Sequence, residues 1–339
     1  MFLNTELFGH QRGASNKGYK KIKYGTMVLS TQNLHLGNAN VNLRFEHGMV
    51  SPAYKTYDII GCSVDLIAQW IKSEAAKHFF YNATTVGASV CRRNVEWDTL
   101  YEQPLYLPCL DEQEKVARFL ALLSERINKQ HLIVSALKKY KRGVVAAILS
   151  HQLKFSDVTG NPYPEWTSCT LQDAVVFLDG QRKPLESADR AKRQGQYPYY
   201  GASGIIDYID DFIFDEPLLL LGEDGANILN RSTPLCFIAE GKYWVNNHAH
   251  VMRPKAGQNI RFLCELLESL DYTRYNTGTA QPKLNQEKCR RIELALPVYE
   301  EQCRIANFLS ALDQRADKAQ SVLDYLLSNR AGLLQQLFI

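Results

Sequence analysis

The amino-acid sequence predicts an α+β chain: two mixed α/β domains separated by two long antiparallel coiled-coil helices, with a pseudo-two-fold internal repeat. Three observations predict it. LPCLDEQEKVARFLALLSERINK begins at Leu107 and LPVYEEQCRIANFLSALDQRADK at Leu296, a shift of 189 positions, and ten of the 23 paired residues are identical. Self-similarity at a fixed offset marks a duplication. Each copy then carries a heptad seam, and each follows the same order of strands, short helix and glycine-containing loop.

Taken in chain order, residues 1–106 form the first domain. HGMVSPAYKTYDII reads as strand, and CSVDLIAQWIKSEAAKHFF carries Leu66, Ile67, Trp70 and Ile71 at helical spacing. Residues 107–150 form the first long helix. Leu-Pro precedes it, and the acidic pair Asp111–Glu112 (Glu300–Glu301 in the second copy) suits the positive end of a helix. Its seam runs Val116, Leu120, Leu123, Ile127, Gln130, Val134, Leu137, Lys141, Val144, Ile148, apolar except at Gln130 and Lys141.

Residues 151–295 form the second domain, with apolar runs in GIIDYIDDFIF, EPLLLLGEDGAN and PLCFIAEGKYWVNNHAHV. The last predicts a hairpin turning near Glu240, Gly241 and Lys242. Ile260, Leu263, Leu267 and Leu270 then predict a short helix. Residues 296–339 form the second long helix, with its seam at Ile305, Leu309, Leu312, Ala316, Ala319, Leu323, Leu326, Leu333 and Leu337. Each long helix would span roughly 38 residues, about 57 Å at 1.5 Å per residue, too long to be stable alone with one apolar stripe. The other long helix is the expected partner. The copies are unequal: 106 residues precede Leu107 whereas 145 separate Ser150 from Leu296. The first domain is therefore expected to be shortened at its front, without a counterpart of WTSCTLQDAVVFLDGQRKPL.

Composition narrows the classes. With 45% hydrophobic and 22% charged residues the chain can build real cores and is not disordered. Eight scattered cysteines, with no CxxC pair, argue against a disulfide framework or zinc ribbon and for a reducing cytoplasm. Neither a signal layout nor an apolar run long enough for a bilayer is legible, so no membrane partner is expected. A net charge of +3 permits a nucleic-acid partner without demanding one.

Motifs for catalysis are weak. NPYP (Asn161–Pro164) is superficially similar to an adenine-methyltransferase loop, but its second proline is displaced and no FxGxG strand precedes it; a linker turn is expected. His248 and His250 in NNHAH have metal-compatible spacing without further ligands, leaving surface readout or a hydrogen-bonded strand. LGEDGAN lacks a phosphate-loop lysine. No nucleophile, base and orienting residue can be assembled, so neither enzyme activity nor a cofactor is expected. Amide, cationic and aromatic side chains suited to bases and phosphates are plentiful. In the second domain they are Gln181, Arg182, Lys183, Tyr199, Tyr200, Asn246, Asn247 and His248, with Arg274, Tyr275, Thr277 and Lys283 in the loop before the long helix. In the first they are Lys20, Lys21, Lys23, Arg92 and Arg93, beside Arg12 and Lys17.

The repeated signature (Leu107, Pro108, Glu112, Gln113, Ala117, Phe119, Leu120, Leu123 and Leu296, Pro297, Glu301, Gln302, Ala306, Phe308, Leu309, Leu312) closely resembles that of the specificity subunit of type I restriction-modification systems, HsdS. YPYYGASGIIDYIDDFIFDEPLLLLGEDGAN followed by WVNNHAHVMRP is similar to a target recognition domain of that family. The resemblance implies a non-catalytic subunit whose two target recognition domains each read half of a split sequence in double-stranded DNA, held apart by the helices as a ruler. It also implies two methylation subunits and a restriction subunit as partners. The short first domain keeps two alternatives open: a decoy that engages methylation subunits without reading a full site, and a homodimer reading a palindromic split site.

Overall fold

The computed structural model describes residues 18–86, 93–278 and 281–338 and forms two units, one of Met1–Ser135 with Lys318–Ile339 and the other of Ala136–Asp317. Arg12, Lys17 and Arg92 lie outside the described residues.

In the first unit, β1 (Lys20–Lys23) pairs antiparallel with β4 (His47–Val50), and β2 (Met27–Ser30) lies between β3 (Ala39–Val41) and β5 (Tyr54–Tyr57). The helical segment after them is interrupted. Ser63 caps α1 (Val64–Trp70) by accepting from Leu66 N at 3.3 Å, and Ser73 caps α2 (Glu74–Asn82) by accepting from Ala76 N at 3.1 Å, each serine satisfying a free amide of the helix it opens. β6 (Thr84–Val86) pairs with β7 (Arg93–Val95), and α3 (Trp97–Glu102) leads to the long α4 (Leu110–Leu149). Leu29, Leu34, Val41, Ile67, Trp70, Ile71, Phe80 and Leu100 make the core.

In the second unit, β8 (Thr167–Thr170) pairs with β17 (Glu293–Leu296), which leads directly into Pro297. The intervening chain makes two four-stranded sheets. One has the order β14 (Cys236–Ala239), β13 (Leu218–Gly222), β16 (Ala249–Pro254), β9 (Val175–Phe177); the other runs β11 (Gly204–Ile209), β10 (Gln194–Gly201), β15 (Lys242–Val245), β12 (Phe214–Asp215). The hairpin expected around Gly241 does not form. β14 pairs with β13, whereas β15 pairs with β10 and β12, so the turn carries the chain from one sheet to the other. Tyr243, Trp244 and Val245 are all buried, as a strand covered on both faces requires, and a two-stranded hairpin could not have covered them. β13, buried on both faces through Leu218–Leu221, reads as an unbroken leucine run for the same reason. Short helices α5 (Leu171–Ala174), α6 (Ser187–Lys192), α7 (Asn227–Asn230) and α9 (Gln286–Arg290) connect these strands, and α8 (Ile260–Ser269) packs Phe262, Leu263, Leu266 and Leu267 into the core.

α4 has 40 residues and α10 (Tyr299–Leu337) has 39, and the two pack antiparallel. In the first unit the start of α4 meets the end of α10: Ile127, Val134, Leu323 and Leu326 are buried together, with Leu123 and Ala319 against them. In the second, Val144, Val145 and Ile148 pack with Ile305, Leu309 and Leu312. Of the other seam positions, Leu120 is fully buried, and Val116 and Leu137 are half-buried. The seam drifts near its end, where Leu334 is buried while Leu333 is half-buried and Leu337 is exposed; a 3.6-residue helix departs from a strict heptad unless it supercoils throughout. Both polar breaks are satisfied. Gln130 Nε2 donates to the Ala319 carbonyl at 2.8 Å, and Lys141 Nζ reaches Glu265 at 2.6 Å and Asp313 at 2.8 Å.

The repeated Glu-Gln has a structural cause. Gln113 Nε2 donates to the Pro108 carbonyl and its Oε1 accepts from Ser63 N, both at 2.8 Å. Gln302 does the same to Pro297 and Asn259, both at 2.9 Å, and Asn259 caps α8 as Ser63 caps α1. Each buried glutamine thereby latches the start of a long helix to the start of a short one. The ends repeat a contact too: Lys141 bonds Glu265 on α8, and Arg330 bonds Gln69 on α1 at 2.7 Å.

Candidate nucleic-acid interface

In the second unit four loops from distant parts of the sequence meet around a buried ion pair. β13 ends at Gly222, where a Cβ would lie 2.6 Å from the Ala202 carbonyl oxygen; only glycine lets the next residue, Glu223, turn in here. His250, on β16, is fully buried. Its Nδ1 lies 2.7 Å from Asp179 and its Nε2 2.8 Å from the Leu284 carbonyl. Acceptors at both ring nitrogens call for the doubly protonated imidazolium. Burial alone would lower the His250 pKa, but the contacts with Asp179 and then Cys289 outweigh it and lift the value to about 10. Burial likewise would raise the Asp179 carboxyl, yet the bond to His250, the Val251 amide and the Arg182 charge hold it below the ordinary range.

Around this pair, Arg182 donates to Glu223 and to the Ala249 carbonyl, both at 2.8 Å. Lys283 Nζ lies 3.3 Å from Glu223, and His248 Nδ1 lies 2.7 Å from Asp224. Backbone pairing ties the loops themselves: Glu223 N to His248 O at 2.8 Å, Leu284 N to Glu223 O at 2.7 Å, and Thr277 N to Lys283 O at 2.8 Å. Gln286 also donates to Asp179 at 2.8 Å. These acids and histidines saturate one another, and among the described residues no three His, Cys, Asp or Glu side chains form a metal-binding group.

The structure sorts the sequence-predicted residues by accessibility. Lys183, Asn247, His248, Thr277 and Lys283 are exposed on the loops that meet here, and Gln181 is exposed beside Arg182. Arg182 is committed to the internal network, with its side chain only 13% exposed. Tyr199 is buried, and its hydroxyl accepts from Leu185 N at 2.9 Å. Tyr200 packs between Phe237 and Tyr243, and Asn246 is buried with its Oδ1 accepting from His248 N at 2.8 Å. These four therefore shape the surface and do not form it. Arg274 is exposed over the half-buried Tyr275. In the first unit Lys21 is exposed, Lys20 donates to the Tyr54 carbonyl at 2.6 Å, Lys23 pairs with Asp58 at 3.2 Å, and Arg93 bonds Thr84 and covers the Tyr81 ring. Sequence reasoning passed over Asp179 and left Glu223 and Asp224 as loop residues of LGEDGAN; of its two readings for His250, the hydrogen-bonded strand is the one seen.

Residues 163–322 match the family model described as type I restriction modification DNA specificity domain. A type I restriction enzyme specificity subunit of Haemophilus influenzae is 34% identical over 149 residues, 44% of this chain and 37% of that protein. The EcoprrI specificity subunit of Escherichia coli is 26% identical over 257 residues, 70% of this chain and 61% of that one. The chain thus spans less than two thirds of the length of these relatives. Its fold is that of the type I restriction-modification S subunit from M. genitalium (TM-score 0.59, 15% identity, covering 98% of this chain and 87% of that one) and of the HsdS subunit from Thermoanaerobacter tengcongensis (TM-score 0.51, 16% identity, covering 96% and 83%). The specificity-domain match over residues 163–322 and the shared fold make this chain similar to the HsdS-type specificity subunits of type I restriction-modification systems.

Proposed function

We propose that this chain is a non-catalytic DNA-reading subunit whose second-unit domain reads one half of a bipartite target through the converged loops bearing Lys183, Asn247, His248 and Lys283. The observation that carries the reading is that convergence. Amides and cations from three sequence-distant loops share one exposed rim, with Asp224 and Glu223 of a fourth loop holding His248 and Lys283 in place, and such groups can pair with base edges and phosphates. The first unit would read the other half, with α4 and α10 fixing the separation. Phe119, Leu122 and Ile133 on α4 and Val322 and Tyr325 on α10 stay exposed outside the seam, an apolar face suited to helices of two methylation subunits, with a restriction subunit joining that assembly.

The test is adenine methylation mapped genome-wide in cells carrying this chain with its methylation subunit, against cells lacking the chain. A split asymmetric motif is expected. A palindromic motif would transfer the reading to a symmetric pair of chains, and no motif from an intact complex would sink DNA reading and leave a decoy.

A further inference from the structure

The NPYP turn is left unused by DNA reading, and in the second unit it roofs a cavity of ≈ 460 Å³. Asp157 organises that turn, accepting from Thr159 N and Asn161 N at 2.8 Å. Phe155, Tyr163 and Trp166 supply aromatic walls, with Ile148 and two prolines between them. Trp166 is braced edge-on by Phe262 at 5.7 Å, and Phe155 by Phe308 at 5.8 Å. Glu301 lines the same cavity from the first turn of α10. It is 95% buried, and its Oε2 has no hydrogen-bond partner among the described residues. Its repeat counterpart, Glu112, is exposed.

We propose that this cavity is a binding site for an aliphatic ammonium group, with Glu301 as counter-ion and the aromatic faces around the cation. A buried carboxylate oxygen without a donor is costly, and an N⁺–H group relieves that cost. Aromatic faces attract organic cations. A bare metal ion would instead require several converging oxygens, and among the described residues the wall offers carboxylates only from Glu301 and the rim residue Glu165, which pairs with Lys154 at 3.6 Å. Burial raises the Glu301 carboxyl, against a Trp166 hydrogen bond and the charges of His151 and Lys154, and an entering cation would act in the same direction as those charges.

Calorimetric titration of the full chain with putrescine and with n-butylamine tests this. One saturable site is expected for at least one amine, weakened at least about tenfold in Glu301→Gln and unchanged in Glu112→Gln. Putrescine binding much tighter than butylamine would identify a free diamine as the ligand; equal binding would identify a single lysine-like ammonium. Absence of saturable binding, equal competition by potassium, or full affinity in Glu301→Gln would overturn the site. Should Glu301→Gln fail to fold, Tyr163→Ala, at the exposed turn, must show the same weakening with an unaltered melting curve.

Discussion

His250 carries its charge where water cannot reach it, and this has a measurable pH signature. Its folded pKa of about 10 stands above the ordinary 6.5, so the pair with Asp179 contributes fully below pH 6.5, and that contribution is lost as pH rises through about 10. Melting temperatures of the chain should therefore fall across that window, and His250→Gln should flatten the slope; identical slopes would refute the buried imidazolium. Asp179→Asn, which strands a cation, should cost about 3–5 kcal/mol in denaturant unfolding. On the rim, Lys183→Ala and Asn247→Ala should weaken one half-site only, with melting unchanged. Asn246→Ala should instead destabilise by about 1–3 kcal/mol, because it strands the His248 amide in the turn it supports. The sequence makes the residue types of this site legible but not this division of labour. Tyr199, Asn246 and Arg182 look like contact residues in a string of letters, and their burial follows from pairings across more than 40 positions, such as Arg182 with Glu223.

At the scale of elements, the long helices were the most legible feature, because a heptad pattern is local and its duplication doubles the signal. The hairpin at Gly241 was misread for the opposite reason: a turn glycine between two apolar runs looks the same whether the strands pair with each other or leave for separate sheets. The glutamine latches give a paired prediction. Gln113→Ala and Gln302→Ala should each cost about 1–3 kcal/mol, with Gln302→Ala the costlier, since each leaves a Pro carbonyl and a capping-residue amide without a partner and only the Pro297 carbonyl is buried. Unfolding followed by separate probes in each unit should locate each loss in its own unit. Leu312→Glu should break the helix pairing by placing a charge in the seam, seen as loss of partner-subunit assembly; a soluble variant with full assembly would count against the seam.

For the whole molecule, the proposed ruler makes spacing a matter of residue count. Removing seven residues from each long helix in register shortens the pair by about 10 Å at 1.5 Å per residue, close to three base pairs of B-DNA. The methylation motif should then keep its two half-sequences and lose about three positions between them. An unchanged gap would mean that the helices do not set it.

Gln130 and Ala319 occupy equivalent places in the two copies, and they touch each other. Where like meets like, the two copies share one contact but do not depend on it equally. The acceptor is the Ala319 main-chain carbonyl, which any residue at that position would supply, so only the Gln130 side can lose the bond by changing its side chain.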